Sequence, residues 1–218
     1  MDDRDVHKVM AVLDEACSKW QTPSVTVIAD RYSSAFHVLV SCIISLRTKD
    51  AVTAAASARL FAQADTPAKI MLLTPDAIGK LIYPAGFYRT KGEQIHALCG
   101  RLLAEFAGIV PDSIEQLLTF KGVGRKTANL VMTLGHRKPG ICVDIHVHRI
   151  TNRWGYVTSR NPDQTEQILR KKLPREYWQV INDRLVCFGQ NLCYPISPAC
   201  TRCPLSAWCS RVGVQRCR

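Results

Sequence analysis

Long hydrophobic runs are missing from this chain of 218 residues. The longest apolar-rich stretch, residues 38–46 (VLVSCIISL), falls far short of the roughly 20 residues that span a bilayer, so no membrane partner is expected. The N-terminal MDDRDVHKVM is acidic and lacks the apolar run of a secretory signal. Both absences point to a soluble, cytoplasmic protein of a bacterium or archaeon, or of a nucleoid-like compartment. Strand signals are almost absent too, apart from short β-branched pieces such as residues 25–28, and no repeat or low-complexity segment is present. Apolar residues make up 47% of the chain, which excludes disorder and suffices for one or two modest domains with real cores.

Acidic side chains are scarce in one part only. Residues 1–120 hold 12 Lys and Arg against 13 Asp and Glu, whereas residues 121–218 hold 17 against 5. The formal net charge of +11 therefore lies wholly in the later part. Charge clustered in this way suits a polyanion such as DNA through counterion release and steering, although a basic solvated surface has the same composition.

What is plentiful is helical periodicity. Val6, Val9, Met10, Leu13, Cys17 and Trp20 recur at helical spacing, with Pro23 as the stop. Residues 35–46 are apolar nearly all round, as in a buried central helix, and residues 51–61 predict another helix. Thr66-Pro67 and Thr74-Pro75 read as N-cap and first turn of two short helices. Over residues 90–106, Ile95, Leu98, Leu102, Leu103 and Phe106 mark one helical face. Pro111-Asp112-Ser113 opens a helix over residues 114–118, with Asp112 and Glu115 at capping-box spacing. The predicted class is all-α, with ten or so short helices.

Between two such helices lies Lys121-Gly122-Val123-Gly124-Arg125-Lys126. Its glycines permit a turn that other residues would strain and leave backbone N–H groups bare, and the following helix aims its positive end at whatever binds there. A tight connection without a ligand has the same form, but Arg125, Lys126 and the basic surroundings favour a phosphate. A lysine in the first turn of a helix acts as a nucleophile if part of it is neutral, so its unperturbed pKa of about 10.4 must fall. The helix N-terminus and desolvation both lower it; pairing with phosphate is the plainer role. Asp144 follows the apolar triplet Ile141-Cys142-Val143 and precedes a helical stretch through Arg153, an N-cap position whose hydrogen bonds would keep it ionised. An ionised carboxylate there suits a developing cation. Of the ten cysteines, Cys17, Cys42, Cys99, Cys142, Cys187 and Cys217 are scattered and read as buried thiols. The other four, Cys193, Cys200, Cys203 and Cys209, follow C-x6-C-x2-C-x5-C. Four thiolates hold either a [4Fe–4S] cluster or tetrahedral zinc, and a cytoplasmic setting disfavours disulfides.

Leu118-Thr119-Phe120-Lys121-Gly122-Val123-Gly124-Arg125-Lys126-Thr127-Ala128, followed by Val143-Asp144-Ile145-His146, resembles the helix-hairpin-helix–Gly/Pro–Asp superfamily of DNA base-excision glycosylases, and within it the endonuclease III family. The similarity runs over essentially the whole chain and ends in the cysteine cluster. It implies two helical domains, residues 27–137 with the hairpin and residues 1–26 joined to 138–218 with the cluster, and a DNA cleft between them. It implies that Lys126 attacks the sugar C1′, displaces the base and forms a Schiff base, and that β-elimination then cuts the strand 3′ to the lesion. Asp144 would assist departure of the base and the proton transfers. Lys121, Gly122, Val123, Gly124, Arg125 and His146 would lie along the DNA.

The resemblance also favours a [4Fe–4S] cluster over zinc, without a redox step in base removal. Gly86-Phe87-Tyr88-Arg89-Thr90-Lys91 is similar to a loop that wedges a side chain into the duplex, here Phe87, although simple core packing is the alternative reading of that residue. Arg47 stands where many relatives place a glutamine facing the orphaned base. The expected substrate is double-stranded DNA bearing an oxidised or ring-saturated pyrimidine or an abasic site, and the expected state is a monomer. Two departures matter. Phe120-Lys121 replaces the usual Leu-Pro, which would loosen entry to the turn, and Tyr194-Pro195-Ile196-Ser197-Pro198-Ala199 carries no charge. Phosphate contacts are therefore expected from Arg149, Arg153, Lys171, Lys172 and the hairpin.

Overall fold

The structure, a computed structural model, describes residues 1–218. In chain order its helices are α1 (Val6–Cys17), α2 (Ser24–Tyr32), α3 (Ala35–Ser45), α4 (Asp50–Gln63), α5 (Pro67–Met71), α6 (Pro75–Ile82), α7 (Tyr88–Phe106), α8 (Ile114–Leu118), α9 (Arg125–Leu130), α10 (Ile145–Arg153), α11 (Pro162–Lys172) and α12 (Ile181–Asn191). There is no strand, as the all-α reading expects. No helix is long and apolar enough to cross a membrane. The chain forms two compact units, Ser24–Lys138 and Met1–Pro23 with Pro139–Arg218; these breaks compare with the expected ones at residues 27 and 138.

In the unit Ser24–Lys138, α3 is the centre. Every side chain from Phe36 to Ile44 is buried, which its sequence AFHVLVSCIIS allows because no charged residue interrupts it. Helices α2, α4, α7 and α9 pack around it, as does the wide π turn Val131–Gly135 that continues α9. The β-branched residues 25–28, the one strand-like piece of the sequence, lie in α2 instead. Val25, Ile28 and Ala29 fall on one helical face and are buried, and Asp50 accepts from the Ser24 amide and hydroxyl, both at 2.8 Å. Tertiary burial here outweighs local β preference.

Caps set several of the other boundaries. Thr66 and Thr74 each accept an amide of the following turn, with proline at the first helical position. At α8 the cap is Ser113, whose Oγ takes the Gln116 amide at 3.4 Å. The expected capping residue, Asp112, is drawn one position outside into an ion pair with Lys138. Along α7 the buried face comprises Lys91, Gly92, Ile95, Leu98, Cys99 and Leu102, while Leu103, expected on that face, is exposed.

The other unit packs α1 against α12 and α10 against α11 and α12. Val9, Met10 and Leu13 meet Ile141, Val147, Ile150, Leu185 and Phe188 in its core. Helix α1 ends at Cys17, six residues before Pro23, and Trp20 beyond it tilts against Phe188 with ring centroids 6.5 Å apart.

Replacing Asp50 with alanine strands the buried amide and hydroxyl of Ser24. A loss of about 1–3 kcal/mol in unfolding free energy is expected from urea titration, with the helical content of the folded state unchanged.

Candidate nucleic-acid interface and cysteine site

Helix α8 hands the chain to the hairpin through Thr119 and Phe120. Phe120 is buried, its ring 5.6 Å from that of Phe106 and beneath the Arg101 guanidinium at 4.6 Å. Arg101 also donates to the Thr119 carbonyl at 2.9 Å. Phe120, at the place of the family's leucine, is thus braced on both sides, and Lys121, in the proline's place, has its carbonyl held by Gln94 at 2.7 Å, so the entry of the turn is pinned rather than loosened. The Val123 amide closes back on the Phe120 carbonyl at 3.1 Å. Gly122 has φ +80°, and a Cβ there would collide with the Gln94 amide nitrogen, which itself donates to the Lys121 carbonyl at 2.7 Å. The left-handed φ demands glycine, and a Cβ would in addition displace the Gln94 side chain from the turn.

Gly124 then caps α9 with extended backbone. A Cβ at this position meets nothing of the protein, so the face beside it is open to a ligand. Lys121, Gly122 and Lys126 are exposed, Arg125 is half-buried and Val123 is buried as the anchor of the turn. Lys126 is the second residue of α9, within its first turn.

Two further predicted residues come together in the same unit. Phe87 precedes α7 with φ +58° and is 62% exposed, which removes core packing as its role. Arg47, with φ +51°, brings its guanidinium within 5.5 Å of the Phe87 ring centroid. Their loops touch directly. The Gly86 amide donates to Thr48 Oγ1 at 3.0 Å, and a Cβ on Gly86 would sit 2.4 Å from the Arg47 carbonyl oxygen.

Asp144 is the N-cap of α10. It is 6% exposed, and its Oδ1 accepts the amides of His146 at 2.8 Å and Val147 at 3.0 Å. His146 is half-buried, with its ring packed where Gly189 of α12 leaves room and its Nδ1 3.1 Å from a guanidinium nitrogen of Arg149. Several cations expected to grip phosphates are spent on the protein itself. Arg153 is 9% exposed and donates to the carbonyls of Tyr194 and Pro195, both at 2.6 Å, and to Cys193 Sγ at 3.4 Å. Arg149 donates to the Cys193 carbonyl at 2.9 Å. Lys172 donates to the Tyr156 carbonyl at 2.9 Å and pairs with Asp3. Guanidinium donors engaged with the protein's own carbonyls are not offered to an anion. Lys171 remains exposed.

Those arginine bonds shape the cysteine site. Cys193, Cys200, Cys203 and Cys209 line one cavity with Trp154, Phe188, Leu192 and Val214. Burial pushes the Cys203 thiol up to about 11, and the charges of Cys193, Cys209 and Cys200 push the same way. Burial also raises Cys209 and Cys200. Burial keeps Cys200, Cys203 and Cys209 protonated unless a cation offsets their charge, and four thiol donors around one cavity fit a thiolate-held metal centre. Arg153 donates to Cys193 Sγ from outside the cavity and so orients that thiol.

Gln94 and Arg101 brace the hairpin, and Thr48 and Lys91, which lie within the segments of Arg47 and Phe87, tie those two segments together. Lys91 left a trace in the sequence: it lies four residues before Ile95, on the apolar stripe of α7.

Comparisons with known proteins point to one family. Residues 40–175 match the HhH-GPD superfamily, described as base excision DNA repair proteins. Endonuclease III of Thermotoga maritima is 44% identical over 174 residues, covering 80% of this chain and 82% of that one. Endonuclease III-like protein 1 of Mus musculus is 40% identical over 177 residues, covering 80% of this chain but 59% of the mouse protein. Among solved structures, a trapped endonuclease III–DNA covalent intermediate in an estranged-adenine complex superposes with a TM-score of 0.84 at 28% identity, over 97% of each chain.

Gly122→Ala is expected to cost about 1–3 kcal/mol of stability through its left-handed φ and the clash with Gln94. A Gly122→Ala/Gln94→Ala pair should recover only the part due to the clash, which a double-mutant cycle of unfolding free energies measures.

Proposed function

The chain belongs to the HhH-GPD superfamily of base excision DNA repair proteins and, within it, to the endonuclease III family, and on that footing we propose how this DNA glycosylase/AP lyase works and on which lesions. The observation that carries the reading is an exposed lysine, Lys126, in the first turn of the helix that leaves a glycine hairpin whose Gly124 face is open.

The substrate is duplex DNA with an oxidised or ring-saturated pyrimidine, extruded from the stack before reaction. The hairpin amides and the N-terminus of α9 hold backbone phosphate, with Lys121 and Arg125 adding charge. Lys126 Nζ attacks the sugar C1′. The glycosidic C–N bond breaks, and the base leaves with the bonding pair and takes up a proton. Opening of the sugar ring gives a Schiff base between Nζ and C1′. Loss of a proton from C2′ then breaks the 3′ C–O bond, so the strand is cut 3′ to the lesion, and water releases the enzyme.

Asp144 supports the positive charge that develops on the sugar as the base departs. Its capping bonds to His146 and Val147 hold one carboxylate oxygen in place, an arrangement prepared before the charge appears. His146 stands beside it on the DNA-facing end of α10. Phe87 fills the gap left by the extruded nucleotide, an apolar side chain replacing lost stacking, and Arg47 hydrogen-bonds the orphaned base. Cys193, Cys200, Cys203 and Cys209 would hold a [4Fe–4S] cluster. When bound, that group cross-links the C-terminal segment and supplies folding energy rather than redox chemistry. The protein acts as a monomer on nucleoid DNA in the cytoplasm.

Lys126→Ala should abolish borohydride trapping of the protein on lesion-bearing DNA; trapping at the wild-type level would refute the assignment. Asp144→Asn keeps an acceptor for the two cap amides but removes the charge, so base release should fall on the order of a hundredfold with little loss of stability. Purified protein is expected to carry about four irons per chain, lost together with the visible absorbance in Cys203→Ser. Stoichiometric zinc in the wild type would overturn the cluster.

A further inference from the structure

We propose that Lys91 is the positioning residue that holds Phe87 and Arg47 ready for insertion into the duplex. This rests on the reading of those two side chains given above. Both are non-glycine residues with left-handed backbone, φ +58° and +51°, a conformation that local preference disfavours and surrounding structure must impose. Lys91 lies one turn into α7, its amide bonded to the Phe87 carbonyl at 3.0 Å. Its side chain runs inward and only 4% of the residue is exposed. The ammonium donates to the carbonyls of Ile44 at 2.7 Å and Leu46 at 2.6 Å and to Thr48 Oγ1 at 2.9 Å.

An ammonium has three protons, and here all three are used on the segment that carries Arg47. Thr48 Oγ1 is shared, because it also accepts the Gly86 amide at 3.0 Å. One cation therefore ties the loop before α7 to the loop after α3. The carbonyls it meets lie at the C-terminal end of α3, where the helix dipole favours positive charge. Burial pushes the Lys91 pKa down to about 8, which leaves the three-proton form predominant at neutral pH.

Without this clamp the two loop tips lose their prepared geometry. The step that suffers is insertion into an intact base pair, whereas reaction at an abasic site has less stacking and pairing to displace. In Lys91→Met, which keeps the length of the stem, single-turnover base release from a thymine-glycol duplex should fall at least tenfold. Strand cleavage at a preformed abasic site should stay within about threefold. The signal of 2-aminopurine placed next to the lesion, which reports unstacking on binding, should fall in parallel with base release.

Adding Phe87→Ala to Lys91→Met should cost little more than Phe87→Ala alone. If Lys91→Met folds poorly, Thr48→Val carries the same test, since it removes the shared hydroxyl with little change in volume, and Thr48→Ser should keep wild-type base release. Equal losses in base release and abasic cleavage, or multiplicative losses in the double variant, would overturn the inference alone. A wild-type protein that neither releases the base nor cuts abasic DNA would overturn the functional reading and this inference with it.

Discussion

A helix buried on every side has to dispose of its last carbonyl groups. Within α3, side chains Phe36 to Ile44 are all buried, and its last turn leaves acceptors that the helix itself does not pair. The lysine on α7 satisfies two of them at the segment of Ile44 and Leu46. Burying a cation without a carboxylate beside it is costly, and the offset comes from carbonyl dipoles at the negative end of the helix. The same bonds join two loops, so one solution to a core problem also organises the surface that carries Phe87 and Arg47.

The hairpin follows a related logic with opposite sign. Its carbonyls and ring contacts are turned inward, where Gln94 donates to the Lys121 carbonyl and Arg101 braces Phe120 and Thr119. What remains outward at Gly124 is open backbone followed by the N-terminus of α9. A turn held rigidly from beneath presents its amides without an entropic cost at the moment of binding. In this chain the pinning side chain is an aromatic one under an arginine.

In the unit that carries the cysteines, positive charge serves the protein before it serves a ligand. Arg153 and Arg149 spend guanidinium donors on the carbonyls of Cys193, Tyr194 and Pro195. The segment they hold has few apolar neighbours of its own, and Ile196 is almost wholly exposed. Bonding it to α10 gives the first cysteine a fixed position, so a net positive composition is a poor guide to which cations face a polyanion. Arg149, Arg153, Lys171 and Lys172 divide into structural donors and a surface charge only once their distances are known.

The chain alone determined its class, most helix positions, the hairpin and the fourfold cysteine spacing, because periodicity, capping threonines and glycine at a forced turn act over a few neighbouring residues. It also marked Lys126 and Asp144, since first-turn and N-cap positions are local properties. Tertiary structure decided the rest. Residues 25–28 became helix because one face of α2 is buried and Asp50 reaches its first turn. Ser113 took the cap because Lys138 draws Asp112 away. Phe87 proved exposed, Arg153 proved buried, and Lys91 proved a clamp. Each of those outcomes depends on partners tens of residues distant, and a hydrogen bond across such a separation has no period or spacing by which it can be read from the order of residues.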